Sequence, residues 1–99
     1  MALVIDPTGD EIRALQKAAA WKGKRILDIG CGDGRLTLRL AALGPQHIEA
    51  IEADSARLRL ARENLPGRYS RLIRYHVGHA ESLKYPKNQF DIVIFSWSL

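Results

Sequence analysis

Short apolar runs alternate with helical stretches along most of this chain. Four of the runs predict β-strands. The last of them is apolar at consecutive positions, which is typical of a strand covered on both faces. In the third run the apolar residues Ile73, Tyr75 and Val77 alternate with polar ones, as in a half-buried strand. The predicted strands are residues 25–29, 48–52, 72–77 and 90–96.

Apolar residues recur at helical spacing in the segments between these strands. Thr8 and Glu11 match a capping box and predict a first helix that ends near Trp21. A second helix is expected over residues 34–43, where a Gly-Pro pair follows it. A third is expected over residues 54–65, with an aspartate or serine as its cap and another Pro-Gly pair after it.

This alternation predicts an α/β fold with a parallel sheet and right-handed crossovers. Numbered along the chain, the four predicted strands are expected in the order 3-2-1-4. In open sheets of this kind, ligands bind beyond the carboxyl ends of the strands, where the direction of the strand order reverses. Here that point lies between the first and fourth strands, directly after residues 25–29.

Length and composition indicate one globular domain over residues 1–99, with 46% hydrophobic and 26% charged residues. No apolar run reaches the roughly 20 residues that a membrane span needs, so no membrane partner is expected. Residues 1–10 lack the basic and apolar regions of a signal peptide. The single cysteine, Cys31, cannot form an internal disulfide, and we therefore expect a cytoplasmic location.

The net charge of +4 is unevenly distributed. One interpretation of its basic stretch is a solvated face on which arginine serves stability. The other is a surface for nucleic acid or another anionic partner. Aromatic residues that could stack bases are few, with Tyr69 and Tyr75 in the same stretch. The arginines concerned are Arg57, Arg59, Arg62, Arg68, Arg71 and Arg74.

Residues 26–34 join an apolar strand to a loop with three alternate glycines and then to a helix. Glycine suits a loop that turns sharply and that a ligand approaches closely. A dinucleotide-binding loop needs G-x-G-x-x-G, but Arg35 occupies the sixth position here. The Gly-Lys-Ser/Thr of a phosphate-binding P-loop is also absent. A tight strand-to-helix turn that binds no ligand is the alternative.

With Asp28 before the first glycine, the segment reads D-x-G-x-G-x-G. This resembles the first motif of the class I S-adenosylmethionine (SAM) dependent methyltransferases, which have a Rossmann-like fold. The resemblance implies SAM as the cofactor and extends from about residue 10 to residue 99. The loop residues that it assigns to cofactor binding are Asp28, Gly30, Cys31, Gly32 and Gly34. Cys31 is interpreted there as a small residue rather than a nucleophile.

Two later segments match the same family in the expected order. Glu52 ends the second predicted strand and resembles the acid that binds the ribose hydroxyls, whereas Asp54 is expected to cap the next helix. Ala53 would then lie against the adenine. Residues 77–83 resemble the segment G-D-A-x-x-L, which contacts the adenine amine and ring. The corresponding residues here are His79, in place of the acid, and Ala80. A surface-loop histidine is the alternative for His79.

The end of the fourth predicted strand bears on the methyl acceptor. Methyltransferases that act on amino groups of nucleobases or glutamine end this strand with Asn-Pro-Pro-Tyr or a close relative. Residues 96–99 here are Ser-Trp-Ser-Leu, which is more similar to the branch that methylates small molecules. Polyamine synthases share the glycine loop but place an aspartate base where this chain has Ser96. The residues identify no general base and no metal ligands.

The family fold has seven strands, whereas four are predicted here. We therefore interpret the chain as the N-terminal, cofactor-binding half of a methyltransferase domain. It could be a fragment, a half-domain completed by another copy, or a minimal binding module. With no fifth strand beside it, the apolar fourth strand would be an exposed edge, and self-association through it is expected. The alternative functions are a module that binds SAM without methyl transfer and, from the arginines, an RNA methyltransferase.

Overall fold

The computed structural model describes residues 2–5, 17, 20–79 and 89–96, which form one parallel sheet with helices packed against it. Within these residues the sheet has five strands, in the order β1-β5-β2-β3-β4. The strands are β1 (Ala2–Ile5), β2 (Arg25–Ile29), β3 (His47–Glu52), β4 (Ile73–Val77) and β5 (Ile92–Ser96). The helices are α1 (Arg35–Ala41), α2 (Ser55–Glu63) and a 3-10 turn over Gly67–Tyr69.

The predicted order of four strands is confirmed, since β4, β3, β2 and β5 lie side by side and parallel. One row of isoleucines crosses all four strands, because Ile26 pairs with Ile48 and Ile92, and Ile48 pairs with Ile73. These four side chains are buried. The row belongs to the same hydrophobic core as four buried residues of α1 and α2, which are Leu36, Leu40, Leu58 and Ala61.

The expectation that the fourth predicted strand is an exposed edge is wrong. Residues 2–5, which the sequence analysis left unassigned, form β1 and pair in parallel with β5, for example Leu3 with Ile94. An unpaired strand presents a row of free N–H and C=O groups. Here β1 forms hydrogen bonds with these groups on the outer side of β5. Because β1 already pairs with β5, this strand is not available for the predicted self-association.

The helices agree with the predictions at their starts. Asp54 caps α2, because its carboxylate accepts hydrogen bonds from the backbone N–H groups of Ala56 (2.9 Å) and Arg57 (3.3 Å). Of the predicted first helix, the structure describes Lys17, which is helical, and Ala20 and Trp21, which are not, so the helix ends before Ala20 rather than near Trp21. None of the helices in the described residues is long and apolar enough to cross a membrane.

The amino ends of β2 and β5 are joined opposite the glycine loop. The Asp91 carboxylate accepts hydrogen bonds from the backbone N–H of Arg25 at 2.9 Å and from its guanidinium at 3.3 and 3.4 Å. The Asp91 N–H donates to the Arg25 carbonyl in return, at 2.9 Å. These hydrogen bonds to the ionised form lower the pKa of the Asp91 carboxyl below its ordinary value.

Candidate functional site

The glycine loop lies where predicted, between the carboxyl end of β2 and the start of α1. Gly30, Gly32 and Gly34 have φ angles of 79°, 59° and 87°, in the left-handed region that side chains disfavour. The alternation of glycines therefore matches the alternation of backbone conformation. This explains why a chain folding this way needs glycine at every second position of the loop.

Backbone hydrogen bonds hold the loop against the end of β3. The N–H groups of Gly30 and Cys31 both donate to the Ile51 carbonyl, at 2.8 and 3.0 Å. The Gly34 N–H donates to the Cys31 carbonyl at 3.1 Å and closes the turn into α1. The loop and the end of β3 therefore form one unit at the carboxyl ends of the strands, where the reversal of strand order was predicted.

Glu52 connects this loop to the next helix through both oxygens of its carboxylate. Oε1 accepts from the Gly32 N–H and Oε2 from the Asp54 N–H, each at 2.8 Å. The residue is 7% exposed. An ionised carboxylate has about four lone-pair positions, so these two hydrogen bonds leave each oxygen able to accept one more. The two features singled out in the sequence, the glycine loop and Glu52, are thus in direct contact.

The two later glycines of the loop face different surroundings. A Cβ added to Gly32 would meet no atom within 4 Å, so the loop is open on this side. A Cβ added to Gly34 would lie 2.6 Å from the Tyr75 hydroxyl and 3.1 Å from the Ala61 Cβ. Gly34 therefore serves the packing of the loop against β4 and α2, whereas Gly32 leaves space that a ligand can enter.

The Tyr75 hydroxyl is buried behind the loop and has no hydrogen-bond partner of standard geometry among the described residues. Burial raises the pKa of the phenol, and the neighbouring Thr37 side chain opposes that rise. Tyr75 therefore keeps its proton and belongs to the buried core behind the loop.

Asp28 is fully buried, and one of its hydrogen bonds comes from the Thr37 hydroxyl of α1, at 2.7 Å. This contact fixes the end of β2 to the helix that follows the glycine loop. Thr37 is a residue that the sequence reasoning missed. Its signal is a hydroxyl at helical spacing from Leu40 and Ala41, which places it on the apolar face of α1 rather than on the polar one.

Cys31 is buried beneath the loop and is a free thiol. Burial raises the pKa of the thiol far above its usual range, and the negative charges of Asp28 and Glu52 act in the same direction. The thiolate is the nucleophilic form of cysteine, so this environment keeps Cys31 unreactive. The interpretation of Cys31 as a small packing residue agrees with these surroundings.

Two of the remaining predicted residues follow the ends of β3 and β4. Ala53 is exposed directly after it, and His79 is exposed just beyond β4. The Gly78 N–H donates to the Glu52 carbonyl at 3.1 Å, which brings the segment after β4 to the end of β3. Ala80 lies outside the described residues.

The described part of the site offers the remaining acceptor positions of the Glu52 carboxylate and the open space beside Gly32. Such a set can bind and orient a polar ligand that carries hydroxyl groups. No three His, Cys, Asp or Glu side chains of the described residues are grouped so as to hold a metal ion. We assign no general base.

Comparisons with known proteins agree with this architecture. The family described as "Methyltransferase domain" matches residues 26–99. A demethylmenaquinone methyltransferase of Desulfitobacterium hafniense is 34% identical over 90 residues, which cover 88% of this chain and 36% of that protein. Protein arginine N-methyltransferase 1 of Chlamydomonas reinhardtii is 30% identical over 83 residues, covering 84% of this chain and 24% of its own length.

Among solved structures, an S-adenosylmethionine dependent methyltransferase from Mesorhizobium loti superimposes with a TM-score of 0.75 at 25% identity. The likeness covers 87% of this chain and 38% of that one. The chain thus spans well under half the length of these relatives. The family match over residues 26–99, together with the confirmed strand order, shows that the chain belongs to the class I SAM-dependent methyltransferases.

Proposed function

We propose that this chain binds SAM between the glycine loop and Glu52, and that the protein containing it transfers the methyl group to a small-molecule acceptor. The observation that carries the proposal is the 2.8 Å hydrogen bond between the Gly32 N–H and Glu52 Oε1. It joins the two features that the family resemblance assigns to the cofactor. The name of the Mesorhizobium loti relative, which includes SAM, supports the same cofactor.

The residues present fit such a ligand. Each Glu52 oxygen retains an acceptor position, and two ribose hydroxyls would use them. The open space beside Gly32 admits a ligand close to the backbone. On the side of the base, Ala53 is a small exposed residue against which an adenine ring would lie. His79 and Ala80 would contact the adenine edge, and a neutral His79 imidazole can accept a hydrogen bond from its amine.

When bound, the cofactor supplies an electrophilic methyl group on a sulfonium. The contribution of this chain is to hold the ligand and fix its orientation, which accounts for much of the rate in a transfer of this kind. Asp28 serves indirectly, because its hydrogen bond from Thr37 keeps the loop and α1 in register. Gly30 and Gly34 serve through the course of the backbone.

The second part of the proposal concerns the molecule that accepts the methyl group. Residues 96–99 resemble the small-molecule branch, and the Desulfitobacterium hafniense relative is named for a quinone precursor. A protein arginine methyltransferase is also among the relatives, so a protein acceptor is the second candidate. Methyl-release assays on small phenols and hydroquinones, beside an arginine-rich peptide, separate the two. SAM binding without methyl release in any assay supports a binding module instead.

The cofactor site is tested by calorimetry with SAM and with its demethylated product. Glu52→Ala removes both acceptors and is expected to weaken SAM binding about 10- to 100-fold, because hydrogen bonds to a charged group contribute about 1.5–3 kcal/mol. Glu63→Gln, at an exposed position of α2, is the matched control and keeps the parent affinity. Equal SAM affinity of the Glu52→Ala variant and the parent, with both folded by circular dichroism, contradicts the proposal.

A further inference from the structure

The outer edge of the sheet beside β4 carries a concentration of arginine that the methyl-transfer site does not use. Between residues 57 and 74 the sequence has six arginines, no lysine and a single acid, Glu63. All six arginines are exposed, and they lie on α2, on the 3-10 turn and its flanks, and on β4. Within the described part of the chain, β4 is the last strand on this side of the sheet.

Three of these arginines have structural roles. Arg57 pairs with the helix cap Asp54 at 3.8 Å. The Arg62 guanidinium donates to the Tyr75 carbonyl of the edge strand at 3.0 Å, so it covers part of the open edge. The Arg68 guanidinium lies over the Tyr69 ring, 4.7 Å from its centroid.

The other three, Arg59, Arg71 and Arg74, make no ion pair or hydrogen bond to another side chain or backbone group that the structure describes. Arg59 and Glu63 stand four residues apart on α2 and are not paired. These guanidinium groups contribute no ion pair or hydrogen bond to the described fold, so they are available to an anionic partner.

We propose that Arg59, Arg62, Arg68, Arg71 and Arg74, here called the basic edge, form a docking surface for the phosphate backbone of single-stranded nucleic acid. Guanidinium groups bind phosphate through two parallel hydrogen bonds, which lysine does not provide. The stacked pair of Arg68 and Tyr69 is a platform on which a base can lie.

The basic edge leads towards the candidate site. Its strand, β4, runs directly into Gly78, whose N–H is bonded to the Glu52 carbonyl at 3.1 Å. A strand of nucleic acid held along β4 would therefore approach the open end of the sheet. The docking surface does not depend on methyl transfer, because its arginines make no contact with Glu52 or the glycine loop in the described structure.

The experiment measures binding of a fluorescein-labelled oligouridylate of about 15 nucleotides by anisotropy, without SAM, between about 50 and 200 mM salt. With three to five phosphate contacts, the slope of log K against log salt is expected at about −2 to −3.5. Arg59→Gln, Arg71→Gln and Arg74→Gln together should weaken binding at least roughly 10-fold and flatten this slope. The corresponding triple lysine variant should retain the slope, because it keeps the charges.

The matched control replaces Lys17, Lys22 and Lys24 with glutamine. These three residues are exposed, lie outside residues 57–74, and their loss lowers the net charge from +4 to +1, as the arginine variant does. The control is expected to bind the oligouridylate within about twofold of the parent at about 50 mM salt. Calorimetry with SAM on the same arginine variant should give the parent affinity, which separates this proposal from the cofactor site.

Equal weakening in the two glutamine variants would mean a response to net charge alone and overturns the proposal. Binding that is insensitive to salt also overturns it. Competition by polyglutamate as strong as by unlabelled oligouridylate assigns the basic edge to acidic proteins instead. An oligothymidylate of the same length that binds equally well supports single-stranded nucleic acid in general, whereas weaker binding narrows the partner to RNA.

Discussion

At the scale of single residues, glycines of the loop that look equivalent in the sequence have different surroundings in the structure. Gly32 and Gly34 both have positive φ, yet one borders open space and the other contacts the Tyr75 hydroxyl. A motif match assigns both to the ligand. In the structure Gly34 also has a packing requirement, because a Cβ there would overlap atoms of the core between α1, α2 and β4.

This difference predicts unequal stability losses for the two alanine variants. Gly32→Ala should cost about 1–2 kcal/mol in free energy of unfolding, from the left-handed backbone alone. Gly34→Ala should cost roughly 1–3 kcal/mol more, because the new methyl group meets the Tyr75 hydroxyl at 2.6 Å. Denaturant unfolding measures both.

Tyr75→Phe provides the control for this interpretation. It removes the overlapping oxygen, so the double variant Gly34→Ala with Tyr75→Phe should recover part of the lost stability. Additive losses in the double variant, with no recovery, would show that the overlap does not cause the difference.

At the scale of elements, the sequence predicted those features of the fold that depend on residues close together in the chain. The Asp54 cap, the glycine turn and the four strands were predicted because caps, turns and apolar runs act within a few positions. Strand β1 was not predicted. Its four residues are a weak local signal, and they form a strand by pairing with β5, which lies far away in sequence.

The same limit applies within the candidate site. The contact between Glu52 and Gly32 could be anticipated, because the ends of neighbouring parallel strands meet at one edge. The hydrogen bond from Thr37 to Asp28 could not, because it depends on how α1 rotates as it packs on the sheet. Val77 was expected to point inward by alternation, but it is 53% exposed at the end of the edge strand.

The junction of β2 and β5 gives a prediction for pH. The folded-state pKa of Asp91 lies below its ordinary value of 3.8, so the ionised carboxylate stabilises the fold above that value. This contribution is lost as the pH falls through the folded pKa. Asp91→Asn should therefore lower the midpoint of thermal unfolding at about pH 6, and its difference from the parent should shrink as the pH falls below 3.8 and through the folded pKa.

Thermal unfolding followed by circular dichroism across this pH range measures the effect. Glu63→Gln is the comparison, because the structure shows no ion pair or hydrogen bond of the Glu63 side chain to another described residue. Its difference from the parent should stay small at every pH. A difference for Asp91→Asn that is constant with pH would mean that the Arg25 contact does not stabilise the ionised form.

At the scale of the whole molecule, a segment from the other end of the chain pairs with β5 and becomes the end strand on that side of the described sheet. The strand β5 is buried at Ile92 and Ile94 and pairs with β2 on one side and β1 on the other. The opposite edge, β4, is partly covered by Arg62 and carries charge. A charged or covered edge strand disfavours pairing with another copy.

Removal of β1 should therefore change the state of association. A variant without residues 2–5 would leave the free N–H and C=O groups of β5 exposed along an apolar strand, which is a template for pairing with a second copy. Sedimentation velocity over a range of concentrations is expected to show dimers or larger species for this variant and less association for the parent. A shortened chain that stays folded and sediments as the parent does at every concentration would contradict this role, because β5 would then need no partner strand to remain monomeric.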